Sequence, residues 1–388
     1  MLKHIVIASL LGSVIFAQTL AEFKTQQRQE FKVYKKTQED GFKKYKQEQL
    51  KAFNEYKKEI GKIWEKPKMS TKKSWVSYTK DKKTRTVVDF AKESIKVQTV
   101  APSQKEAMQK LQVALAKVIT VDTKTVQDTD PLEKKIAKIK KPAGVVDAKV
   151  RPEPILATVV FKKPPTKKSV KKYVKKHVMP KKIKVKKSKK VKNQKVYTVF
   201  IKMPKNAMIK RSRLYYHEVK KQASKQKIPV ALVFAIMHSE SSFNPRARSY
   251  VPAYGLMQIV PKTAGMDAHA YLYKKKKLVT GSYLYDSKNN ITMGSAYLHI
   301  LYYRYLRKIK NPQSRIYCTI AAYNTGAGNI AYAFTKSYNM NRAAPIINSM
   351  TPNEVYAKLM KDLRWDEPKK YLKKVSQRMV AYEKVYGS

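Results

Sequence analysis

Apolar residues fall along this chain in four regimes. From Ile5 to Ala17 the run is nearly unbroken, interrupted only by small residues such as Ser9, Gly12 and Ser13, and it follows Lys3 and His4. A run of about 13 residues is too short to span ~30 Å of hydrocarbon as an ordinary helix. The pattern therefore predicts a signal peptide over residues 1–21, cleaved after Ala17 or Ala21, with an uncleaved anchor or a buried helix as the alternative. No cysteine lies near either point to accept a lipid. Over residues 22–66 the aromatic positions repeat: Phe31 and Tyr34, Phe42 and Tyr45, Phe53 and Tyr56, a period of 11, with Leu20, Phe23 and Trp64 in the same register. Eleven residues over three turns is about 3.67 per turn, which keeps the rings on one slowly drifting stripe. This predicts a long lysine-rich helix, roughly 65–70 Å at 1.5 Å per residue. Its stripe either packs on its own domain or a second copy, or the helix serves as a spacer; packing is the reading preferred.

Pro67 then stops the helix. Short β-branched and aromatic runs follow at Trp75–Tyr78, Thr84–Phe90 and Ile95–Val100, separated by lysine-rich turns, and predict strands. Ser103 and Glu106 form a capping-box pattern ahead of a helix to Val118. Ile155–Phe161 and Val196–Met203 read as further strands. Together these predict a small α+β domain over residues 67–203. Residues 162–195 are about half lysine with interspersed proline, a composition that buries too little to fold alone and repels itself, so they are expected to be a mobile linker or loop.

From residue 204 onward helical periodicity dominates, at Leu214–Ser224, Pro229–Ser239, Ile291–Ile309, Arg315–Tyr323 and Tyr371–Tyr386. The fold class expected is α+β: a long N-terminal helix and small α+β domain, followed by an all-helical domain over residues 204–388.

Charge narrows the partners. The 388 residues hold 84 Lys+Arg against 27 Asp+Glu, a formal charge of +57. That favours anionic partners: nucleic acid, anionic lipid or an acidic wall polymer. Export disfavours nucleic acid, and no nucleic-acid reader motif is present. One cysteine, Cys318, excludes a disulfide scaffold and an all-cysteine metal site. The scattered histidines and carboxylates supply no recognised ligand spacing, so no metal or other cofactor is implied.

The chemistry gathers in the helical part. Val230–Met237 is apolar on nearly every face and ends in His238-Ser239-Glu240-Ser241-Ser242-Phe243-Asn244-Pro245. A carboxyl at the C-terminal end of a buried helix is desolvated and lacks the favourable field of an N-terminus, which raises its pKa toward that of a general acid. Taken alone, most such glutamates are paired with a base or turned to water. Gly255-Leu256-Met257-Gln258 follows, and Ala321-Ala322-Tyr323-Asn324-Thr325-Gly326-Ala327-Gly328 closes another apolar helix. Each piece has a bland role by itself. His238 is read as a packed neighbour of Glu240, and Cys318 as a small buried hydrophobe.

In this order, with Glu367 and Tyr371 near the end, the segments resemble the catalytic domain of the soluble lytic transglycosylases, a goose-lysozyme-like helical fold that cleaves peptidoglycan. Leu284-Tyr285-Asp286, Asn290-Ile291, Gly294–Leu298, Ile347–Pro352 and Lys202-Met203-Pro204 are similar to a two-domain, membrane-bound branch of that family; the region from Trp64 through Phe90 is similar more weakly. The chain departs from that branch in lacking a lipid-accepting cysteine and in adding the lysine-rich segment. The resemblance implies that Glu240 first protonates the glycosidic oxygen between N-acetylmuramic acid and N-acetylglucosamine. Its carboxylate then takes the proton of the muramoyl C6 hydroxyl as that hydroxyl attacks C1, leaving a 1,6-anhydromuramoyl end. It further implies that Tyr323 hydrogen-bonds the catalytic carboxyl and that Met257 gives it an apolar wall. Ser249 would contact a sugar or acetamido group, Gln258, Asn324 and Tyr371 would line the glycan cleft, and Glu367 would orient sugar or neighbouring side chains. The expected partner is the peptidoglycan strand, with membrane or wall-surface association through the basic segments. The expected location is the periplasm. A water-using muramidase on the same fold and a non-enzymatic wall-binding protein are the competing readings.

Overall fold

The computed structural model describes residues 20–250 and 252–387; the expected signal segment up to residue 19 lies outside them. The chain divides into two compact units, residues 1–51 with 139–143, and residues 52–138 with 144–388. In the first unit the chain is the body of helix α1 (Leu20–Gly61), and a Cβ placed on Gly41 would meet Pro142 at 3.5 Å. The side chains of Leu20, Phe23, Phe31 and Tyr34, the start of the 11-residue register, are outside the described set.

The second unit begins with the last turns of α1. Here the register positions Tyr56 and Trp64, with Ile60, bury against Val76, Tyr78, Val100 and Leu132. The Arg85 guanidinium lies 3.9 Å over the Trp64 ring and donates to the Lys66 carbonyl at 2.9 Å, fixing the chain as it leaves the helix. Five antiparallel strands follow: β1 (Ser74–Tyr78), β2 (Thr84–Asp89), β3 (Ser94–Ala101), β4 (Lys184–Lys187) and β5 (Lys195–Lys202), in spatial order β1-β2-β3-β5-β4. The runs predicted as strands at Trp75–Tyr78, Thr84–Phe90, Ile95–Val100 and Val196–Met203 correspond to β1, β2, β3 and β5.

Helix α2 (Gln104–Thr120) lays Ala107, Leu111, Ala114, Leu115, Val118 and Ile119 on the sheet, where Ile95, Val97, Val199 and Ile201 complete one core. Ser103 caps it by accepting from the Glu106 N–H at 3.3 Å. The reciprocal half of the expected capping box is missing, because the Glu106 carboxylate pairs with Lys110 one turn on at 2.6 Å. Short helices α3 (Thr123–Thr129) and α4 (Pro131–Ala137) follow, capped by Asp122 and Asp130.

Two expectations fail here. Residues 155–161 were expected as a strand but form a helical turn, α5 (Ala157–Val160). The turn lets Ile155, Leu156 and Val159 all enter the α2 core, which alternation would forbid. The lysine-rich stretch is not an unstructured linker. It holds α6 (Lys167–His177), opened by a full capping box between Thr166 and Ser169, then a 3₁₀ turn and strand β4. Val170, Tyr173, Val174 and Val178 recur at helical spacing, and that stripe packs on the core while the lysines between stay in water.

Beyond Pro204 the structure is helical: α7 (Ala207–Leu214), α8 (Tyr216–Gln226), α9 (Val230–Ser241), α10 (Met266–Tyr273), α11 (Gly281–Tyr285), α12 (Ser287–Ile300), α13 (Pro312–Thr325), α14 (Ala327–Thr335), α15 (Met340–Asn348), α16 (Pro352–Asp362) and α17 (Asp366–Tyr386). Periodicity located α8, α9, α13 and α17. The single helix expected to Ile309 is instead α12, ending at Ile300 and passing into a wider turn at Leu301–Tyr305. α9 is the central rod, with Ala231 to Met237 all buried. α17 runs along it through aromatic contacts, Phe234 to Tyr386 at 4.4 Å and to Tyr382 at 5.5 Å.

The α+β and helical portions interlock. Val146 makes a parallel bridge to Val279, its N–H donating to Leu278 at 2.7 Å. Arg151 forks onto Asp286, its Nε donating at 2.7 Å. Arg246 pairs with Glu133 at 3.0 Å, donates to Gln127 at 2.7 Å and stacks on the Tyr285 ring at 3.8 Å.

Candidate active site

Glu240 sits in the last turn of α9 and is buried. The helix cannot run on: Ser242 and Phe243 both take left-handed backbone conformations, with φ of 53° and 60°. Such geometry is uncommon without glycine. Here it is held by Phe243, which is driven into a ring cluster with Tyr215, Phe234 and Tyr382. The reversal leaves the Glu240 carboxyl at the end of an apolar rod. Desolvation, the largest influence, pushes its pKa above the ordinary glutamate value; Lys72, a contact with Tyr371 and Lys73 oppose this, while Glu367 adds to it.

The Gly255–Gln258 turn is locked beside this end. The Ser241 hydroxyl lies 2.7 Å from the Leu256 carbonyl. Asn290 of α12 spans the turn: it accepts from the Met257 N–H at 2.8 Å and donates to the Tyr254 and Leu284 carbonyls, each at 2.8 Å. Gly255 has φ +74°, and a Cβ there would lie 2.3 Å from both Asn290 and the Leu284 carbonyl, so only glycine fits. Met257 is fully buried and leans on Gly294, where an added Cβ would meet its sulfur at 2.2 Å. Gln258 donates to the Gly255 carbonyl at 3.0 Å, and its Oε1 is buried with no hydrogen-bond partner among the described residues.

Two tyrosines stand against Glu240. Tyr323, near the end of α13, donates to the Met257 carbonyl at 2.8 Å. The expected bond was to the Glu240 carboxyl; the hydrogen bond that Tyr323 makes is to the neighbouring turn. Burial raises the Tyr323 phenol well above its usual pKa, and the Glu240 charge adds to the shift. Tyr371 of α17 faces the carboxyl more directly. Its hydroxyl lies against Glu240 just outside strict hydrogen-bonding geometry and has no other partner among the described residues.

The remaining expected residues occupy the periphery. Asn324 is half-buried at the end of α13, where Gly326 (φ +88°) turns the chain. Glu367 is exposed in the first turn of α17. Ser249 is half-buried and closes a turn by exchanging hydrogen bonds with Ala253, its hydroxyl accepting from the Ala253 N–H at 3.0 Å. The next two acidic residues after Glu240 in the chain are engaged elsewhere: Asp286 with Arg151, and Asp267 as acceptor from the Tyr305 hydroxyl at 3.2 Å. His238 is pushed down to about 3 by burial, then by Arg378 and Lys73, so its imidazole is neutral; it meets the Tyr382 hydroxyl at 3.2 Å. Among the described residues no three His, Cys, Asp or Glu side chains gather as a metal site would require.

Sequence reasoning missed the contribution of the α+β portion. The strand-leading loop places Lys72 Nζ 3.8 Å from the Glu240 carboxylate, and Asn244 holds that loop by donating to the Lys72 carbonyl at 3.3 Å. Among 84 basic residues, nothing marks Lys72 in advance.

Residues 218–346 match the Transglycosylase SLT domain family, a span that includes Glu240, the Gly255–Gln258 turn and Tyr323. Among individual proteins, the chain is similar to membrane-bound lytic murein transglycosylase C of Serratia proteamaculans, 42% identical over 189 residues, which cover 49% of this chain and 52% of that protein. The protein of the same name from Klebsiella pneumoniae is 41% identical over 189 residues, again 49% of this chain and 52% of that protein. The chain thus aligns with about half the length of these relatives. The solved 70 kDa soluble lytic transglycosylase of Escherichia coli is 25% identical, with a TM-score of 0.34, covering 45% of this chain and 25% of that one.

Proposed function

We propose that this chain is a lytic transglycosylase of peptidoglycan. It would cleave the β-1,4 bond between N-acetylmuramic acid and N-acetylglucosamine and leave 1,6-anhydromuramoyl ends. The observation that carries the reading is the buried Glu240 carboxyl, desolvated at the end of α9 between the Gly255–Gln258 turn and the phenols of Tyr323 and Tyr371.

Desolvation keeps the proton on Glu240 above the usual carboxylate range, as a general acid requires. Glu240 gives that proton to the glycosidic oxygen as the C1–O bond breaks. The carboxylate so formed then takes the C6 hydroxyl proton while that oxygen bonds to C1. The proton balance closes on one residue, with no water consumed, and an internal hydroxyl held near C1 has a high effective molarity. Ordinary glycosidases need a second carboxylate. Among the described residues, the acidic side chain acting on Glu240 is the exposed Glu367, which suits orientation better than nucleophilic attack.

Met257 walls the carboxyl with apolar surface, and Tyr323 holds the Met257 carbonyl in place. The unpartnered Gln258 Oε1 and Tyr371 hydroxyl are groups for sugar hydroxyls and N–H, with Asn324, Ser249 and Glu367 farther along the glycan. We place the enzyme in the periplasm, exported by residues 1–21. Its basic segments would draw it to the anionic wall or membrane surface; among the described residues no helix is long and apolar enough to cross a membrane. The deciding experiment is mass spectrometry of muropeptides released from purified sacculi by the protein and by Glu240→Gln. Products one water lighter than hydrolytic ones, absent with the variant, are expected. Reducing ends would assign a muramidase instead, and release undiminished by the substitution would remove Glu240 from the chemistry.

A further inference from the structure

The cation beside the acid is supplied by the other portion of the molecule. Lys72 belongs to the loop that leads into β1, and its side chain is 42% exposed, so it can leave the 3.8 Å pairing with Glu240. The loop itself cannot leave easily, because Asn244, four residues after Glu240, grips the Thr71 and Lys72 carbonyls at 3.5 and 3.3 Å. The backbone is anchored and the ammonium is free to swing. Other charged or titratable groups face the carboxyl from every side: Lys73 on the same loop, Glu367 and Tyr371 on α17, and Tyr323 on α13. Behind Lys73 stand Arg378 and Lys374 of α17, and on α9 itself is the neutral His238.

This arrangement opposes the chemistry it surrounds. A general acid must carry its proton, and an ammonium at this distance favours the ionised form. We infer that Lys72 is a resting counter-ion that weakens Glu240's hold on its proton and is drawn away by a carboxylate of the bound substrate, so that substrate binding itself strengthens the acid's hold. The inference rests on the transglycosylase reading above. The ligand chemistry is a carboxylate beside the scissile bond. Peptidoglycan offers two sources, the stem peptide and, where that peptide has been removed, the lactyl group of muramic acid. Once Lys72 has moved to that carboxylate, the protonated form of Glu240 is favoured, any missing proton coming from solvent. Lys72 is therefore a positioning residue, acting through Glu240.

The test is the pH dependence of anhydro-product formation on soluble glycan strands, using the full chain. The kcat/KM profile reports the free enzyme and kcat the substrate complex. In the unaltered protein the basic limb of kcat/KM should lie below that of kcat. Lys72→Met should move the kcat/KM limb up by about half a unit to one unit, as loss of a partly exposed cation predicts, and leave the kcat limb in place. Its KM should rise several-fold. Lys72→Arg should restore the original separation. Strands whose carboxylates have been amidated by carbodiimide should abolish the separation in the unaltered protein. Strands stripped of stem peptides distinguish the sources: persistence assigns the lactyl carboxylate, and loss assigns the stem peptide. Unmoved limbs in Lys72→Met, or amidated strands that behave as native ones, would overturn the inference. Because Asn244 contacts the backbone of Lys72, either substitution should leave the fold unchanged, checked by circular dichroism. Failure of the transglycosylase reading would show separately, as reducing-end products or as an active Glu240→Gln.

Discussion

The Tyr323 hydroxyl donates to the Met257 backbone carbonyl, tying the end of α13 to the Gly255–Gln258 turn beside the end of α9. The phenol thus holds the buried Met257 and its turn in place.

Tyr323→Phe removes that tie. Leaving the Met257 carbonyl without its donor should cost about 1–3 kcal/mol. Chemical denaturation would measure the loss, and kcat on glycan strands should fall with it because the wall beside Glu240 loosens.

Gly294→Ala tests the same wall from behind. Alanine in a helix is ordinarily better than glycine by about 1 kcal/mol. Here its Cβ would collide with the Met257 side chain, so we expect net destabilisation of about 1–3 kcal/mol. Truncating the obstruction in Gly294→Ala/Met257→Ala should recover part of it, a coupling that a double-mutant cycle in the denaturation midpoint would show.

Arg246 is a second buried link, beside Asn244, between the loop after Glu240 and the α+β portion. Arg246→Met leaves Glu133 buried without its cation and should cost about 3–5 kcal/mol. Pairing it with Glu133→Gln should cost less than the single change. Thermal unfolding of the three variants checks the order.

Asp286 gives a pH dependence of known sign. Arg151 and the Asn289 N–H hold its carboxyl below the usual aspartate value, overcoming desolvation, the largest influence, which acts the other way. A carboxylate with a depressed folded pKa stabilises above its unfolded pKa, near 4, and loses that contribution as pH falls through the lower folded value. The melting temperature should therefore drop more steeply on acidification below about pH 4 in the unaltered protein than in Asp286→Asn. Parallel curves would show that the pair does not titrate with folding.

How far the sequence could be read follows from what kind of signal each feature carries. The β-branched and aromatic runs Trp75–Tyr78 and Ile95–Val100 report a buried sheet, here covered on both faces, and the strands stand where those runs placed them. In α6 the same kind of signal was present at Val170, Tyr173, Val174 and Val178, but the surrounding lysines dominated the composition. Segment motifs located Glu240, Met257 and Tyr323 in one site, because each ends or turns an apolar element. They did not reveal what each polar atom bonds to: the Tyr323 partner is the carbonyl of a residue 66 positions away. Lys72 was illegible for a different reason. Its role depends on how two portions of the chain dock, and a lysine in a lysine-rich stretch carries no mark of that.

Strand β4 ends the sheet with Lys184, Val185, Lys186 and Lys187 all exposed. An open edge of this kind is a template on which a second chain can continue the hydrogen-bond ladder. Three ammonium groups along four residues make that continuation repulsive for any copy bringing the same strand. Charge that would crowd this protein onto an anionic mesh thus also keeps its crowded copies from polymerising edge to edge.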